Sequence, residues 1–547
     1  MSNLAKDEFS RNKGNFLKGT LVLTIAGFVV KIIGSLNWIF LSRVLSGEGI
    51  GLYQMAFPIY LLALSVSSAG IPVAISIITA EKLALRDVRG AKRVFTISLV
   101  ILFTSGLLFS VLTYLGAGWL IDHRIIRDVR AYYSIIALAP AIFFVTLLSS
   151  FRGYLQGWQE MTPTAVSQIV EQLVRVITML VFANLLLPRG LEYAAAGASL
   201  GAAPGAVGGL LVLLYYYWKL RPKMQLPPGD ADLSLPAEGA VDIIRRLVKL
   251  ALPVSMASIM LPIVSNLDML IVPTRLEAAG FTTEHATEQF GYLTGMAVPL
   301  VNLATLLTAS LATSLVPSIS EAKALGNRQA IYRRTESALN IATWVGLPGG
   351  VLIYLLAAPI AQLIYHAPDA GGPVRVLAVG IFLLGVHQVT TGVLQGLGHT
   401  TIPVVNMGFS AVIKVILNWT LTAIPLLGIK GAAGATVADF GIAAALNMYF
   451  IYREVGFAIN SKYILKTGVA AAVMGLAVMG VYNGLIYKTG DNTWATLSSI
   501  AAGGAVYLLI QVAIGGLAEE DIRRVPYLGG TIANSLQKFG VLGRRGR

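Results

Sequence analysis

No cysteine occurs in the 547 residues, which excludes disulfides, thiolate metal centres and cysteine nucleophiles. Histidine is almost as scarce. His123, His285, His366, His387 and His399 are scattered, with no HxxxH or HExxH spacing, so no metal site is expected. Charged residues make up only 12% of the chain, against roughly 25% in an average soluble domain. A soluble fold of this length needs a charged surface that these residues do not supply. The short alternating segments of a β-barrel are missing too. No long extracytoplasmic loop offers room for a catalytic domain. The longest expected extracytoplasmic loop, about 274–289, has only Arg275, Glu277, Glu284, His285 and Glu288 as ionisable groups, so an enzyme is not expected.

What is present in abundance is apolar: 56% of residues are hydrophobic and the mean hydropathy is +0.73. Apolar runs of 20 or more residues recur along the chain, each long enough to cross ~30 Å of hydrocarbon as a helix. Broken at charged and Gly/Pro-rich punctuation, the sequence predicts an all-α polytopic membrane protein of about 14 transmembrane helices. The apolar stretch after Gly19 is long and lacks a small-residue cleavage site, so it is read as an uncleaved first helix. The net charge of +14 would suggest nucleic acid in a soluble protein, but Lys and Arg concentrate in the cytoplasmic loops of membrane proteins. With an inside N-terminus, 29 Lys and Arg fall on the cytoplasmic side and 9 outside. That asymmetry predicts an even number of spans with both termini cytoplasmic, and no nucleic-acid partner.

The chain also resembles itself. Met55-Ala56-Phe57-Pro58 recurs as Met296-Ala297-Val298-Pro299, and Glu81-Lys82-Leu83-Ala84-Leu85 as Glu321-Ala322-Lys323-Ala324-Leu325. Gly153-Tyr154-Leu155-Gln156-Gly157 matches Gly392-Val393-Leu394-Gln395-Gly396, and Ala195-Ala196-Gly197-Ala198 matches Ala432-Ala433-Gly434-Ala435. Four matches in one order, at offsets of 237 to 241 residues, describe a duplication of six spans. The expected organisation is a six-helix lobe at 1–218, a cytoplasmic linker at 219–249 and a second six-helix lobe at 250–453. Two further spans at 454–517 and a basic cytoplasmic tail at 518–547 complete it. Parallel repeats of this kind place a substrate site between them.

Three basic residues fall inside predicted spans: Lys31, Arg175 and Lys414. Each costs roughly 2.5–3.5 kcal/mol on insertion scales, which requires an explanation. Lys31 lies twelve residues past Gly19, some ~18 Å along a helix, too deep for simple snorkelling. Gly34, Ser35, Trp38 and Ser42 share its stripe at helical spacing, as a cavity-lining face would. Arg175 has Glu171 one turn earlier, a pair that either holds helices together or gates. Lys414 aligns with Arg175 in the repeat to within one residue and has no carboxylate within a turn on its own span. Lys31, Ser35, Arg175 and Lys414 are therefore the candidate substrate-binding residues. Asp268 and Asp439 are candidates to hold a coupling ion, H⁺ or Na⁺, or to pair with one of these cations. A cleft lined by Lys31 and Lys414 favours an anionic head group such as a phosphate or pyrophosphate.

These residues carry a family likeness. Phe16-Leu17-Lys18-Gly19-Thr20-Leu21, Gly47-Glu48-Gly49-Ile50-Gly51-Leu52-Tyr53 and Gly70-Ile71-Pro72-Val73-Ala74-Ile75-Ser76 belong to it. So do Arg152-Gly153-Tyr154-Leu155-Gln156-Gly157, Glu171-Gln172 with Arg175, and Leu315-Val316-Pro317. With them the chain resembles the stage V sporulation protein B branch of the polysaccharide-biosynthesis exporters, within the MurJ-like and MATE-like flippase superfamily. The resemblance covers the chain to about Arg453. It implies two pseudo-symmetric six-helix lobes, two extra helices that serve a lipid tail, no cofactor, and outward movement of a lipid-linked glycan by alternating access. Lys31 fits the cavity base that MurJ-like flippases carry on their first helix. The chain departs from that pattern in its eighth span, 290–319, which has no Lys or Arg, and in its second, which has no Asp. The expected cargo is an undecaprenyl-pyrophosphate-linked saccharide for peptidoglycan, spore cortex or polysaccharide. The alternatives are a cation-coupled drug exporter of the MATE type and, in another class, a membrane glycosyltransferase or ligase.

Overall fold

The computed structural model describes residues 3–68, 70–222, 238–457 and 461–514. Most of the predicted linker, 223–237, and the predicted tail at 518–547 lie outside the described residues. Among the described residues the regular structure is helical throughout. The first unit, Met1–Gly291, is built from α1 (Asn3–Ser68), α2 (Ile71–Ala84), α3 (Val88–Asp122), α4 (Ala131–Gly157) and α5 (Thr162–Leu186). It continues through α6 (Leu191–Leu200), α7 (Ala202–Leu220), α8 (Ala240–Ala278) and α9 (Thr283–Gly291). The second unit, Tyr292–Arg547, opens on a π-helical turn at Tyr292–Ala297. It then holds α10 (Val298–Ala304), α11 (Leu306–Ala324), α12 (Arg328–Leu355), α13 (Ala357–Tyr365) and α14 (Gly371–Gly396). α15 (Thr401–Leu421), α16 (Ile429–Val455), α17 (Ser461–Thr489) and α18 (Asn492–Ala513) follow.

Twelve described helices are long and apolar enough to cross a membrane, thirteen if the bent pair Thr283–Ala304 and Leu306–Ala324 is one span. The protein is a multi-pass membrane protein. Fourteen spans were expected, and the difference lies at the start. One apolar stretch, Ile25–Ala84, covers 60 residues, about three times what ~30 Å of hydrocarbon needs. It runs over both expected spans 19–42 and 51–80. Its helix is broken at Ser46, whose φ of 56° and ψ of −171° are not helical.

The duplication has a physical signature inside each unit. A Cβ on Gly153 would come within 2.6 Å of the Pro72 carbonyl, and one on Gly157 within 2.5 Å of Thr79 Cβ. In the second unit a Cβ on Gly392 would meet the Ala312 carbonyl at 2.4 Å, and one on Gly396 would meet Ile319 Cβ at 2.7 Å. Glycine is required at these four positions because helix backbones approach too closely for any side chain. The helix starts match as well. Asp87 caps α3 through the Gly90 amide and Asn327 caps α12 through the Ala330 amide.

The division into units does not fall at the predicted linker. α8 packs along α1 and α2, and α9 crosses α1 so tightly that a Cβ on Gly51 would overlap the Thr287 carbonyl at 2.0 Å. The seventh span therefore belongs to the compact first unit, although its sequence begins the second repeat. Each unit has its own apolar core. In the first, Phe95 stacks on Tyr154 at 4.4 Å beside Phe151 and Tyr217. In the second, Leu315, Ile319, Leu339, Val389 and Val393 pack together. α17 and α18 pair with each other, and α18 is pinned when Tyr507 donates to the Trp344 carbonyl of α12 at 2.7 Å.

Candidate functional site

In the first unit the polar interior is ionic. Glu171 on α5 accepts from Arg175 Nη2 at 2.9 Å, the expected i,i+4 pair. It also accepts from Arg152 Nη2 at 2.8 Å, a residue outside the candidate set that the sequence suggests. Arg152 lies on α4, and its Nε donates to Ser167 Oγ at 3.1 Å, one turn before Glu171. All three charged side chains are largely buried, between 12% and 19% exposed. One carboxylate thus faces two guanidinium groups, and the cluster keeps a positive surplus instead of cancelling. Gly205 makes the room: a Cβ there would stand 2.8 Å from Arg175 Cβ. Arg175 Nε is buried without a hydrogen-bond partner among the described residues.

Arg175 also faces the hydroxyls of Tyr53 and Tyr60 on α1. These belong to an aromatic ladder, Trp38–Tyr53–Phe57–Tyr60, with successive ring centroids 5.5 to 5.7 Å apart. Trp38 is in turn on the stripe of Lys31. The Lys31 side chain is exposed and has no ion pair among the described residues. α1 shows an exposed apolar stripe at Ile25, Phe28, Ile32 and Leu36; at ~100° per residue Lys31 points roughly 105° away from its centre. The helix therefore has two exposed faces, one apolar and one centred on a cation. Ser35 is half-buried, and its hydroxyl donates back to the Lys31 carbonyl at 3.0 Å. Asn37, off this stripe, is buried and directs its amide at Met179 Sδ, 3.7 Å away on α5.

In the second unit the matching helices carry a different network. Asn406, Ser410, Lys414 and Asn418 form a buried stripe along α15. Ser410 donates to Asp439 on α16, one turn before Lys414, which is only 6% exposed. His387 on α14 lies within electrostatic range of Asp439. Asn406 donates to Asn447 at 2.8 Å, and Asn447 donates to Thr391 at 3.1 Å. Gln388 accepts from Thr308 at 2.6 Å. Asp268 is half-buried on α8 of the first unit. Two residues before it, Asn266 donates to the carbonyls of Pro58 and Pro262, both at 2.8 Å.

A second ionic cluster of the first unit went unread in the sequence. Arg130 pairs with Asp128 at 2.7 Å and Glu48 at 2.6 Å, and Thr287 donates to Asp128 at 2.9 Å. The hydrogen bonds that Arg130 donates to Asp128 and Glu48 hold its guanidinium protonated beyond its ordinary range. The cluster joins α1, the α3–α4 turn and α9. Its acid and base are neighbours in sequence, but Glu48 lies 82 residues away, a distance over which sequence spacing carries no signal.

A helical, internally duplicated membrane fold with polar networks buried inside each unit is the architecture of a transporter. The chain belongs to the polysaccharide biosynthesis protein family, whose model matches residues 16–323. A second model, MatE, matches residues 294–420. Stage V sporulation protein B of Bacillus subtilis (strain 168) is 30% identical over 518 residues, covering 94% of this chain and 99% of that one. Lipid II flippase MurJ of the same organism is 28% identical, covering 93% and 97%. Among solved structures, a lipid II flippase MurJ in an inward closed conformation superposes with a TM-score of 0.67. It is 16% identical and covers 90% of this chain and 98% of that one, a likeness of fold.

Proposed function

We propose that the protein is a flippase that moves an anionic undecaprenyl-pyrophosphate-linked saccharide across the bacterial cytoplasmic membrane by alternating access, as part of peptidoglycan, spore-cortex or polysaccharide synthesis. The observation that carries this reading is the positive surplus inside the first unit: Arg152 and Arg175 share one Glu171, and Lys31 has no ion pair among the described residues. A fixed cationic surface in a low-dielectric setting favours a pyrophosphate and opposes a hydrophobic cation. Two relatives along nearly the whole chain support it, one named for sporulation and one as a lipid II flippase. Lys31, Ser35, Arg175 and Lys414 are assigned to the substrate, with the cytoplasmic termini that the loop charges favour. The protein does the work of a carrier and makes no covalent change in its cargo.

A cation-coupled exporter of the MATE type is the second reading. It is favoured by one observation: Asp439 receives Ser410 and faces His387, a titratable group beside an acid in the unit that the MatE model matches. In the flippase reading the same Asp439, with Asp268, takes H⁺ or Na⁺ to drive return of the carrier. The deciding experiment has two measurements. Native mass spectrometry of the purified protein is expected to find a polyprenyl-pyrophosphate glycan bound. Reconstituted vesicles are expected to lose glycan translocation with Lys31→Ala while drug-cation efflux is absent from the start. Cation efflux without glycan movement would replace the flippase reading by the exporter.

A further inference from the structure

The two units make the same turns with different residues. Between α2 and α3, and again just past α4, the first unit places Arg86 (φ 57°) and Gln159 (φ 59°) in the left-handed region. The matching turns of the second unit, 240 and 239 residues on, have Gly326 (φ 64°) and Gly398 (φ 82°) there. Glycine enters that region freely, whereas an L side chain is strained in it. The first unit thus keeps two strained side chains where its own repeat shows that glycine serves. Strain of this kind is retained where the side chain has work to do.

Both side chains line one cavity of about 360 Å³, walled by Leu83, Ala84, Val88 and Trp158. No carboxylate is among its lining residues. Neither the Arg86 guanidinium nor the Gln159 amide has a side-chain hydrogen bond or ion pair among the described residues, whereas nearby Lys82 is engaged by Asp87 at 3.4 Å and Glu238 at 2.9 Å. In the second unit the corresponding place is satisfied from within. Lys323, which matches Leu83, donates to the Leu397 carbonyl at 2.6 Å, and its ammonium stands 3.9 Å from where a Cβ on Gly398 would be. The first unit has an apolar residue at that position and carries its donors on the rim instead.

We propose that this cavity, between the α2–α3 turn and the end of α4, binds a phosphate anion. The Arg86 fork pairs with two phosphate oxygens and the Gln159 amide donates to a third. Leu83, Val88 and Trp158 cover the apolar part of a phospholipid when the phosphate is a lipid head group, a chemistry that basic pockets at the bilayer surface share. Free phosphate satisfies the same donors without using the apolar wall, so the two sources are separable.

The test titrates the full-length protein in neutral detergent with phosphatidylglycerol, phosphatidylcholine or inorganic phosphate, and counts bound molecules by native mass spectrometry. The double variant Arg86→Gly/Gln159→Gly copies the turns of the second unit, so its melting temperature is expected to equal or exceed that of the parent. Its retention of phosphatidylglycerol is expected to fall about tenfold, the worth of a charge-assisted pair, with phosphatidylcholine unchanged. Arg86→Gly alone gives the same readout with a single change. If inorganic phosphate binds with the same dependence on Arg86 and phosphatidylglycerol does not, the phosphate site stands and its ligand is soluble. Equal retention of both anions by parent and variants would overturn it.

Discussion

The α4–α5 interior of the first unit and the α14–α15–α16 interior of the second descend from the same duplicated helices, yet they solve the burial of polar groups in different ways. Arg175 and Lys414 are 239 residues apart, and the stripe Ser167, Glu171, Arg175 is matched by Asn406, Ser410, Lys414. In the first unit the acid is on the same helix as one of its cations, and it holds a second, Arg152, whose counterpart is Thr391. In the second unit the acid has moved to Asp439 on α16; in the Ala-Ala-Gly-Ala register its counterpart is Ala202. The rest of that unit's network, Asn406, Asn447, Thr390 and Thr391, is neutral. A duplicated backbone therefore conserves where polar groups can be buried, but not their charge. The first unit carries a cationic surplus suited to an anion. The second places an acid beside a histidine, suited to a proton or a small cation.

That contrast is most sharply broken at Glu171. Glu171→Gln leaves two largely buried guanidinium groups without a counter-charge and is expected to cost about 3–5 kcal/mol, read as a lowered melting temperature in detergent. A loss below ~1 kcal/mol would mean that water already screens the cluster. The corresponding change in the second unit, Ser410→Ala, removes one hydrogen bond to Asp439 and is expected to cost about 1.5–3 kcal/mol. A cycle of Arg152→Ala and Arg175→Ala then tests whether the two arginines share their acid. The double variant should exceed the sum of the singles by about 1 kcal/mol, because only it leaves Glu171 with neither arginine. Additive losses would show that one arginine is a bystander. Lys31→Ala is expected to shift stability by less than ~0.5 kcal/mol, as an exposed side chain without an ion pair among the described residues should. In the proposed flippase its expected effect is on glycan translocation alone.

Much of the fold was legible in advance because its causes are local or periodic. Apolar runs long enough for hydrocarbon announce helices, and Gly153, Gly157, Gly392 and Gly396 recur because close helix crossings exclude a Cβ. The Glu171–Arg175 pair was legible for the same reason: one helical turn is visible in sequence. Arg152 was not, since its place at Glu171 depends on how α4 packs on α5. The break at Ser46 was legible too, since it falls between the expected spans 19–42 and 51–80 beside Gly47, Glu48 and Gly49; the tight crossing of α9 at Gly47, Gly51 and Gly291 was not, because it depends on packing.

By itself, the sequence determined a helical, multi-pass, duplicated protein with rare charges in its spans, since membrane insertion penalises every exposed polar group and leaves such residues conspicuous. Only the tertiary structure decided which of those charges cancel. Glu171 turned out to be shared and Asp439 to sit beside the α15 stripe, while α8 joined the first unit in spite of its place in the repeat. Pairing in a low dielectric depends on a few ångströms between helices, and that distance is a property of packing that no single helix encodes.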